Sequence, residues 1–114
     1  SLYETEFVEL VNSATSFVGG DTTKLIVVSI PDYAFTPFGQ NYNPTEISAE
    51  LELYNNFAQE YAEENTLSYV YITDITQQGL ETPALVASHG LHPSSLDYSK
   101  FVERILSLAL DKLE

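Results

Sequence analysis

The chain contains no cysteine in its 114 residues. It therefore has no disulfide framework and no thiolate nucleophile, and cysteine usage says nothing about its redox compartment. No apolar run approaches the roughly 20 residues that a membrane-spanning helix needs, and Ser1 is not followed by a basic and apolar leader. The sequence predicts a chain without a membrane span and leaves its localisation unknown.

Basic residues are scarce as well. Four Lys and Arg stand against 17 Asp and Glu, which gives a formal net charge of −13, and no basic residue lies between Lys24 and Lys100. Proteins that bind nucleic acid gain much of their affinity from Lys and Arg, so we expect no nucleic-acid partner. Such an acidic surface is more typical of a well-solvated domain than of one with a cationic partner.

The apolar content predicts one packed domain that covers residues 1–114. Hydrophobic residues make up 44% of the chain, with 8 Tyr and 6 Phe among them. Disordered chains lack the apolar area that offsets conformational entropy. Three segments repeat apolar residues at spacings of three and four, which predicts three amphipathic helices. Their stripes are Tyr3, Phe7, Leu10, Val11, Ala14 and Phe17; then Ile47, Leu51, Tyr54, Phe57, Ala58 and Tyr61; then Tyr98, Phe101, Val102, Ile105, Ala109 and Leu113.

The ends of these helices carry their own signals. Gly19-Gly20 is expected to end the first helix, and Asn43-Pro44 to cap and start the second. Ser94 or Ser95 is a suitable cap for the third. Residues 81–86 predict one short helical turn before the loop that precedes this helix.

Two β-branched or aromatic runs, residues 25–30 and 67–72, predict two strands on either side of the second helix. Strand, helix and strand form a right-handed βαβ unit in an α/β fold, with parallel strands. A parallel pair with two apolar faces normally lies inside a larger sheet. We therefore expect further sheet from an upstream segment, a second polypeptide, or a second copy that pairs through the free edge.

The most informative motif is His-Gly-Leu-His-Pro at 89–93, just before the last helix. With Ser-Ile-Pro-Asp-Tyr at 29–33, Thr-Pro-Phe-Gly at 36–39 and Tyr-Val-Tyr-Ile-Thr at 69–73, it resembles the carboxyl-terminal half of the SGNH or GDSL hydrolases, whose last block is Asp-x-x-His before Pro and the final helix. The family's Gly-Asp-Ser and Gly-x-Asn-Asp blocks have no counterpart here.

The resemblance implies a three-layer, flavodoxin-like parallel sheet, of which this chain supplies two strands and three main helices. It also implies a serine-type carboxylic ester hydrolase, an esterase or lipase without a cofactor. His92 is then the general base, and the nucleophile lies on the missing amino-terminal half or a second polypeptide. The isolated chain is expected to be inactive, and a small ester is the expected substrate.

His89 departs from the family pattern, which places aspartate at that position. Imidazole cannot supply the same anionic partner to His92, so three hypotheses stay open: a Ser-His dyad, a degenerate enzyme, or an altered residue. A metal pair of His89 and His92 is a weak alternative, because the spacing lacks nearby ligands.

Other residues and functions also remain open. Tyr33, Phe35 and Phe38 follow the end of a strand, where open α/β sheets bind ligands, so they are candidates for substrate binding or for packing of their own loop. Asp74 is either a pocket acid or a local cap. The competing functions are a non-catalytic module of the same fold that binds a glycan or partner, and a small acidic interaction domain.

Overall fold

Two strands lie side by side and run parallel in the computed structural model, which describes residues 2–112. They are β1 (Ile26–Val28) and β2 (Ser68–Val70), paired in the register Ile26 with Ser68 and Val28 with Val70. The helices are α1 (Leu2–Phe17), α2 (Pro44–Glu64), the single turn α3 (Thr73–Thr76) and α4 (Ser95–Lys112). Across the described residues, the chain is a mixed α/β domain, mostly helical, with the three long helices and the parallel pair that the sequence predicts.

The alternation of side chains along the strands assigns the helices to opposite faces of the sheet. On one face, Ile26 and Val70 pack with the α4 residues Phe101 and Ile105. The other face carries a second cluster, in which α1 and α2 cover the sheet: Phe7, Val11, Tyr61, Ala62, Leu67, Leu25, Val27 and Tyr69. Because both faces are apolar and covered, short strands of continuous hydrophobic sequence fit here.

A buried polar network ties together the carboxyl ends of the two strands. Ser29 Oγ accepts hydrogen bonds from the backbone amides of Ile72 at 2.7 Å and Thr73 at 3.1 Å. Asn55 on α2 accepts from Ile30 N at 2.9 Å and donates to Thr73 Oγ1 at 3.0 Å. Such fully satisfied networks fix a unique arrangement of the backbone, and here they fix the points from which the two following loops depart.

The predicted stripe of α1 is only partly correct. Phe7 and Val11 pack in the core, but Leu10 is 69% exposed and Phe17 is 89% exposed. The helix packs mainly against α2, so only a narrow line of its side chains is buried. Tyr3 stacks on Tyr54 with ring centroids 4.5 Å apart, which places this line along the aromatic side of the helix.

The stripe of α4 differs from the prediction in phase. Phe101 is buried and Ile105 is half-buried, whereas Tyr98 and Val102 are 52% and 57% exposed. The buried line begins at Asp97, one turn before Phe101, because the α3 turn and the sheet approach the helix from that side. Leu113, the last predicted member of the stripe, lies outside the described residues.

Asn43 and Pro44 stand at the predicted N-cap and first helical position of α2, but the Asn43 side chain makes no capping hydrogen bond, whereas the predicted cap of α4 is correct. Asn43 takes a left-handed conformation with φ 46°, and its side chain donates to Glu46 Oε2 at 2.7 Å instead of capping a backbone amide. By contrast, Ser94 Oγ accepts from Asp97 N at 3.2 Å, as an N-cap side chain does. Gly19 and Gly20, both at positive φ, follow α1 as expected.

No helix within residues 2–112 combines the length and the apolar character that crossing a bilayer demands.

Candidate functional site

A cavity of about 480 Å³ opens where the segments that follow β1 and β2 meet the start of α4. Open parallel sheets bind ligands beyond the carboxyl ends of their strands, so this is the expected place for a site. The wall is mostly apolar and aromatic. It is lined by Pro31, Asp32, Tyr33, Thr36, Phe38, Thr76, Leu85, Val86, Leu91, His92, Pro93, Asp97 and Tyr98.

One side of the cavity is the aromatic loop, residues 32–42. It contains two 3₁₀ turns, Tyr33–Phe35 and Gly39–Asn41, so it is more regular than its sequence predicts. Thr36 Oγ1 donates to the Tyr33 carbonyl at 2.6 Å and accepts from Gly39 N at 3.0 Å. These contacts between neighbouring residues hold the loop in one shape.

The opposite side is the histidine loop, residues 87–94. Gly90 has φ 82°, a conformation that side chains with a Cβ rarely adopt, and its amide donates to the Ala87 carbonyl at 2.8 Å. Ala87 N in turn donates to the His92 carbonyl at 2.8 Å. The backbone thus closes a tight loop that presents His92 beside Pro93 at the entry to α4.

His92 lines the cavity, and its side chain is exposed at the mouth. Within residues 2–112 neither of its ring nitrogens takes part in a hydrogen bond, and its nearest ring neighbour is His89, with centroids 5.0 Å apart in an edge-to-face arrangement. The imidazole is therefore free to exchange a proton with a bound molecule, but no carboxylate fixes its tautomer.

His89 is exposed and does not line the cavity. It stands beside His92 as the family motif would place an acid, yet its ring meets the other ring by an edge rather than through a hydrogen bond. No group of three or more His, Asp or Glu side chains in the described part of the chain is arranged as metal ligands. The two histidines alone provide an incomplete set for a structural or catalytic zinc ion.

The aromatic candidates divide into two groups. Tyr33 and Phe38 line the cavity and are 39% and 42% exposed. Phe35 is half-buried and is not part of the wall. The structure therefore brings Tyr33 and Phe38 together with His92, and leaves Phe35 to the packing of the loop.

Two carboxyl groups line the cavity although the sequence analysis did not predict them as site residues. Asp32 is 1% exposed and fully bonded: Oδ1 accepts from Ala34 N at 3.0 Å, and Oδ2 accepts from Ser48 Oγ at 2.7 Å and Gln77 Nε2 at 3.2 Å. Asp97 is 2% exposed, and its Oδ1 is buried without a hydrogen-bond partner.

The environment of Asp97 also changes its acidity. Burial raises the pKa of this carboxyl above its ordinary value, and the positive charge of Lys100, one turn along α4, lowers it in part. The Ser94-x-x-Asp97 spacing is the available signal in the sequence, because it resembles a capping box with an acid at the third helical position. Ser94 N donates to the Leu85 carbonyl instead, so the Asp97 carboxyl is left without that backbone donor.

Asp74 proves to be neither a pocket acid nor a local cap. Its carboxylate pairs with Arg104 of α4 at 2.6 Å, and the same guanidinium donates to the Tyr71 carbonyl at 2.8 Å. This pair is partly exposed and fastens α4 to the segment after β2. It lies outside the cavity wall.

Comparisons with protein-family models, with curated proteins and with solved structures give no match to this chain. The resemblance to the SGNH hydrolases therefore remains a prediction from the motifs.

Proposed function

We propose that this chain is the base-bearing half of an SGNH-type carboxylic ester hydrolase, with His92 as the general base. In that assignment residues 1–114 form the carboxyl-terminal part of one flavodoxin-like, three-layer domain. The observation that supports it is the shared cavity: His92, Tyr33 and Phe38 line one largely apolar space beyond the carboxyl ends of two parallel strands.

The chemistry follows from what each side of the cavity offers. His92 takes the proton from a serine hydroxyl on the other half as that oxygen attacks the ester carbonyl. It then returns the proton to the alcohol that leaves when the tetrahedral intermediate collapses to an acyl-serine. In the second half of the reaction His92 takes a proton from water, which attacks the acyl-serine, and returns it to the serine oxygen as the carboxylic acid is released. The apolar wall and the rings of Tyr33 and Phe38 accept the hydrocarbon part of a small ester, and the reaction needs no cofactor.

The missing half has unpartnered surface to occupy. Val28 of β1 is 40% exposed although its strand is paired with β2 on one edge. An apolar line with a spacing of four runs along the outside of α4, and all of its members are 51–57% exposed: Tyr98, Val102, Leu106 and Leu110. Exposed apolar area of this kind is typical of an interaction surface. An upstream segment or second polypeptide is the proposed occupant, and a second copy of this chain is the alternative.

The test labels the native preparation with a fluorophosphonate, which reacts with activated serines, and then measures the intact mass of every polypeptide under denaturing conditions. We expect an adduct on a second, serine-bearing polypeptide or segment, and we expect it to disappear in a His92→Gln variant. A Ser107→Ala variant on the exposed side of α4 serves as the control and should label normally. A second polypeptide or segment that stays unlabelled, or an adduct on a serine within residues 1–114, would refute the assignment.

A second function has one observation in its favour. Among residues 2–112 no carboxylate bonds to His92: position 89 is a histidine, and its ring makes only an edge contact. A non-catalytic module that uses the same cavity to bind a glycan or a partner would need no such carboxylate. Ligand binding that survives His92→Ala, together with no turnover in the reconstituted protein, would favour this module over the hydrolase.

A further inference from the structure

The carboxyl of Asp97 is the one side chain of the cavity wall with a buried polar atom that has no hydrogen-bond partner among residues 2–112. It is 2% exposed, and Oδ1 has no donor among the described residues. A buried acceptor without a partner destabilises a fold by about 1–3 kcal/mol, so a native protein that keeps one calls for an explanation. The Asp32 carboxyl, also in the wall, is already bonded to three donors.

The other residues of the wall favour a positively charged ligand next to Asp97. Two carboxyls line the cavity, and no Lys or Arg side chain lines it, so an anionic ligand would be repelled without compensation. Tyr33, Phe38 and Tyr98 also line the cavity, and aromatic rings attract cations at their faces. The net charge of −13 also attracts cations to the protein at long range.

We propose that this cavity binds a small molecule that carries a primary or secondary ammonium group on an apolar body, and that Asp97 Oδ1 accepts one of its N–H groups. The apolar body packs on the aromatic wall. Asp97 lines the cavity while its Oδ1 is closed off from water in the free protein, so rotation about the soft χ2 torsion would be needed to bring that oxygen to the cavity surface. The proposal does not depend on ester hydrolysis, because it concerns recognition alone.

The choice of ammonium over neighbouring chemistries follows from the unmet acceptor. A hydrogen bond between two charged groups is roughly twice as strong as a neutral one, so an ammonium is favoured over a hydroxyl. A quaternary ammonium carries the charge but has no N–H to donate. It would gain the aromatic attraction and leave Oδ1 unpartnered.

Four probes of similar size separate these contributions: phenethylamine, its N,N,N-trimethyl derivative, 2-phenylethanol and 3-phenylpropionate. Binding to the whole chain is followed by the amide chemical shifts of the cavity residues. We expect phenethylamine to bind about tenfold more tightly than the alcohol and the trimethyl derivative, and the acid to bind most weakly. Equal affinities for the amine and the alcohol, or for the amine and its trimethyl derivative, would overturn the proposal.

A pair of variants matched in charge locates the effect. Asp97→Asn and Asp74→Asn each remove one negative charge, but Asp74 pairs with Arg104 outside the cavity. We expect Asp97→Asn to bring the amine and the alcohol within about twofold of each other and Asp74→Asn to retain the tenfold preference. A preference that persists in Asp97→Asn would show that Asp97 does not recognise the ammonium.

A measurement on the unmodified chain locates the bound amine without any substitution. With ¹³C-labelled aspartate, the carboxyl carbon of Asp97 should shift as phenethylamine is added, while that of Asp74 stays in place. Shifts confined to surface carboxyls would mean that the amine follows the net charge of the protein, and would contradict a built site.

Discussion

Phe38 N donates a hydrogen bond to the Gly90 carbonyl at 3.0 Å, and this contact joins the aromatic loop to the histidine loop. Gly90 also lies against the Pro37 ring, since a Cβ added at Gly90 would stand 3.5 Å from Pro37 Cβ. The two walls of the cavity are therefore connected through backbone groups. The position of His92 relative to Phe38 depends on loop geometry more than on either side chain.

Gly39→Ala should destabilise the aromatic loop. A Cβ at this position would lie 1.9 Å from the Tyr33 carbonyl oxygen, far inside normal contact distances, so the backbone must move. We expect a loss of about 2–3 kcal/mol in the free energy of unfolding, measured by urea titration with far-ultraviolet circular dichroism. Gly20→Ala is the control, because a Cβ there meets no atom within 4 Å and adds only the strain of φ 85°. Equal losses for both variants would contradict the steric argument.

Ser29→Ala should weaken the link between the ends of the two strands. The Ser29 hydroxyl is buried and accepts from Ile72 N and Thr73 N, so its removal leaves two backbone donors unsatisfied. We expect a loss of about 2–3 kcal/mol in unfolding free energy. Ser107→Ala, at an exposed position of α4, should change it by less than about 0.5 kcal/mol. A small effect at Ser29 would mean that water replaces the hydroxyl.

The spacing of hydrophobic residues was sufficient to predict the long helices and the parallel pair. Burial of an apolar face contributes most of the stability of both helices and strands, so both leave this signal in the sequence. It could not settle which face of α4 is buried. Tyr98 and Val102 fit an apolar helical stripe as well as Phe101 does, and which side is buried depends on where the sheet and α3 lie. That information is tertiary and has no local signal.

Three of the five candidate residues predicted from the sequence line the cavity, while His89 and Phe35 do not. The Gly-Leu-His-Pro motif and the aromatic loop led to His92, Tyr33 and Phe38, which share the cavity. Asp97 was missed because an acid in the first turn of a helix is usually solvated and favourable there. The buried side of this helix is set by its packing against the sheet, the α3 turn and residues 83–85, which is a tertiary arrangement without a local signal.

Under the proposed function, His89→Asp should raise the esterase activity of this chain when it is combined with its serine-bearing half. The variant places a carboxylate beside His92, where an anion can fix the tautomer of the base and stabilise the imidazolium. Turnover of a short-chain ester would be compared between wild type, His89→Asp and the neutral control His89→Asn. We expect an increase of at least about tenfold for the aspartate alone. Unchanged or lower turnover would count against a triad at this position.

Tyr69 should titrate later than an ordinary tyrosine. Burial between the sheet and α2 raises the pKa of its hydroxyl to about 12, and the hydroxyl lies 3.4 Å from the Asn55 carbonyl oxygen. Folding therefore favours the protonated form, so stability is intact below the unfolded pKa of 10.0 and falls as the pH rises toward about 12. In an alkaline titration followed by tyrosinate absorbance, the step at the highest pH should be absent from Tyr69→Phe. The decrease in unfolding free energy at alkaline pH should also be smaller in this variant. An unchanged last step would assign it to another tyrosine.

Asp97 should make the protein less stable as the pH rises from acid to neutral. Burial raises its pKa above the ordinary 3.8. Below pH 3.8 the carboxyl is therefore protonated in both the folded and the unfolded state, and it costs the fold no stability there. As the pH increases, the unfolded carboxyl ionises first and unfolding is favoured, until the folded carboxyl ionises as well. The charged and titratable groups around it are Lys100 on its own helix and Asp32, His92, Tyr33 and Tyr98 on the cavity wall.

Asp97→Asn removes this titration and keeps the size of the side chain. At neutral pH the variant should be the more stable of the two proteins, and its advantage should shrink in acid, where the wild-type carboxyl is protonated. Urea titrations of both proteins at a series of pH values measure it. Asp74→Asn should instead lose a few tenths of a kcal/mol at neutral pH, because it breaks an exposed ion pair with Arg104. A destabilised Asp97→Asn at neutral pH would mean that the carboxylate has a partner in solution, and the ammonium site would then have no unmet acceptor.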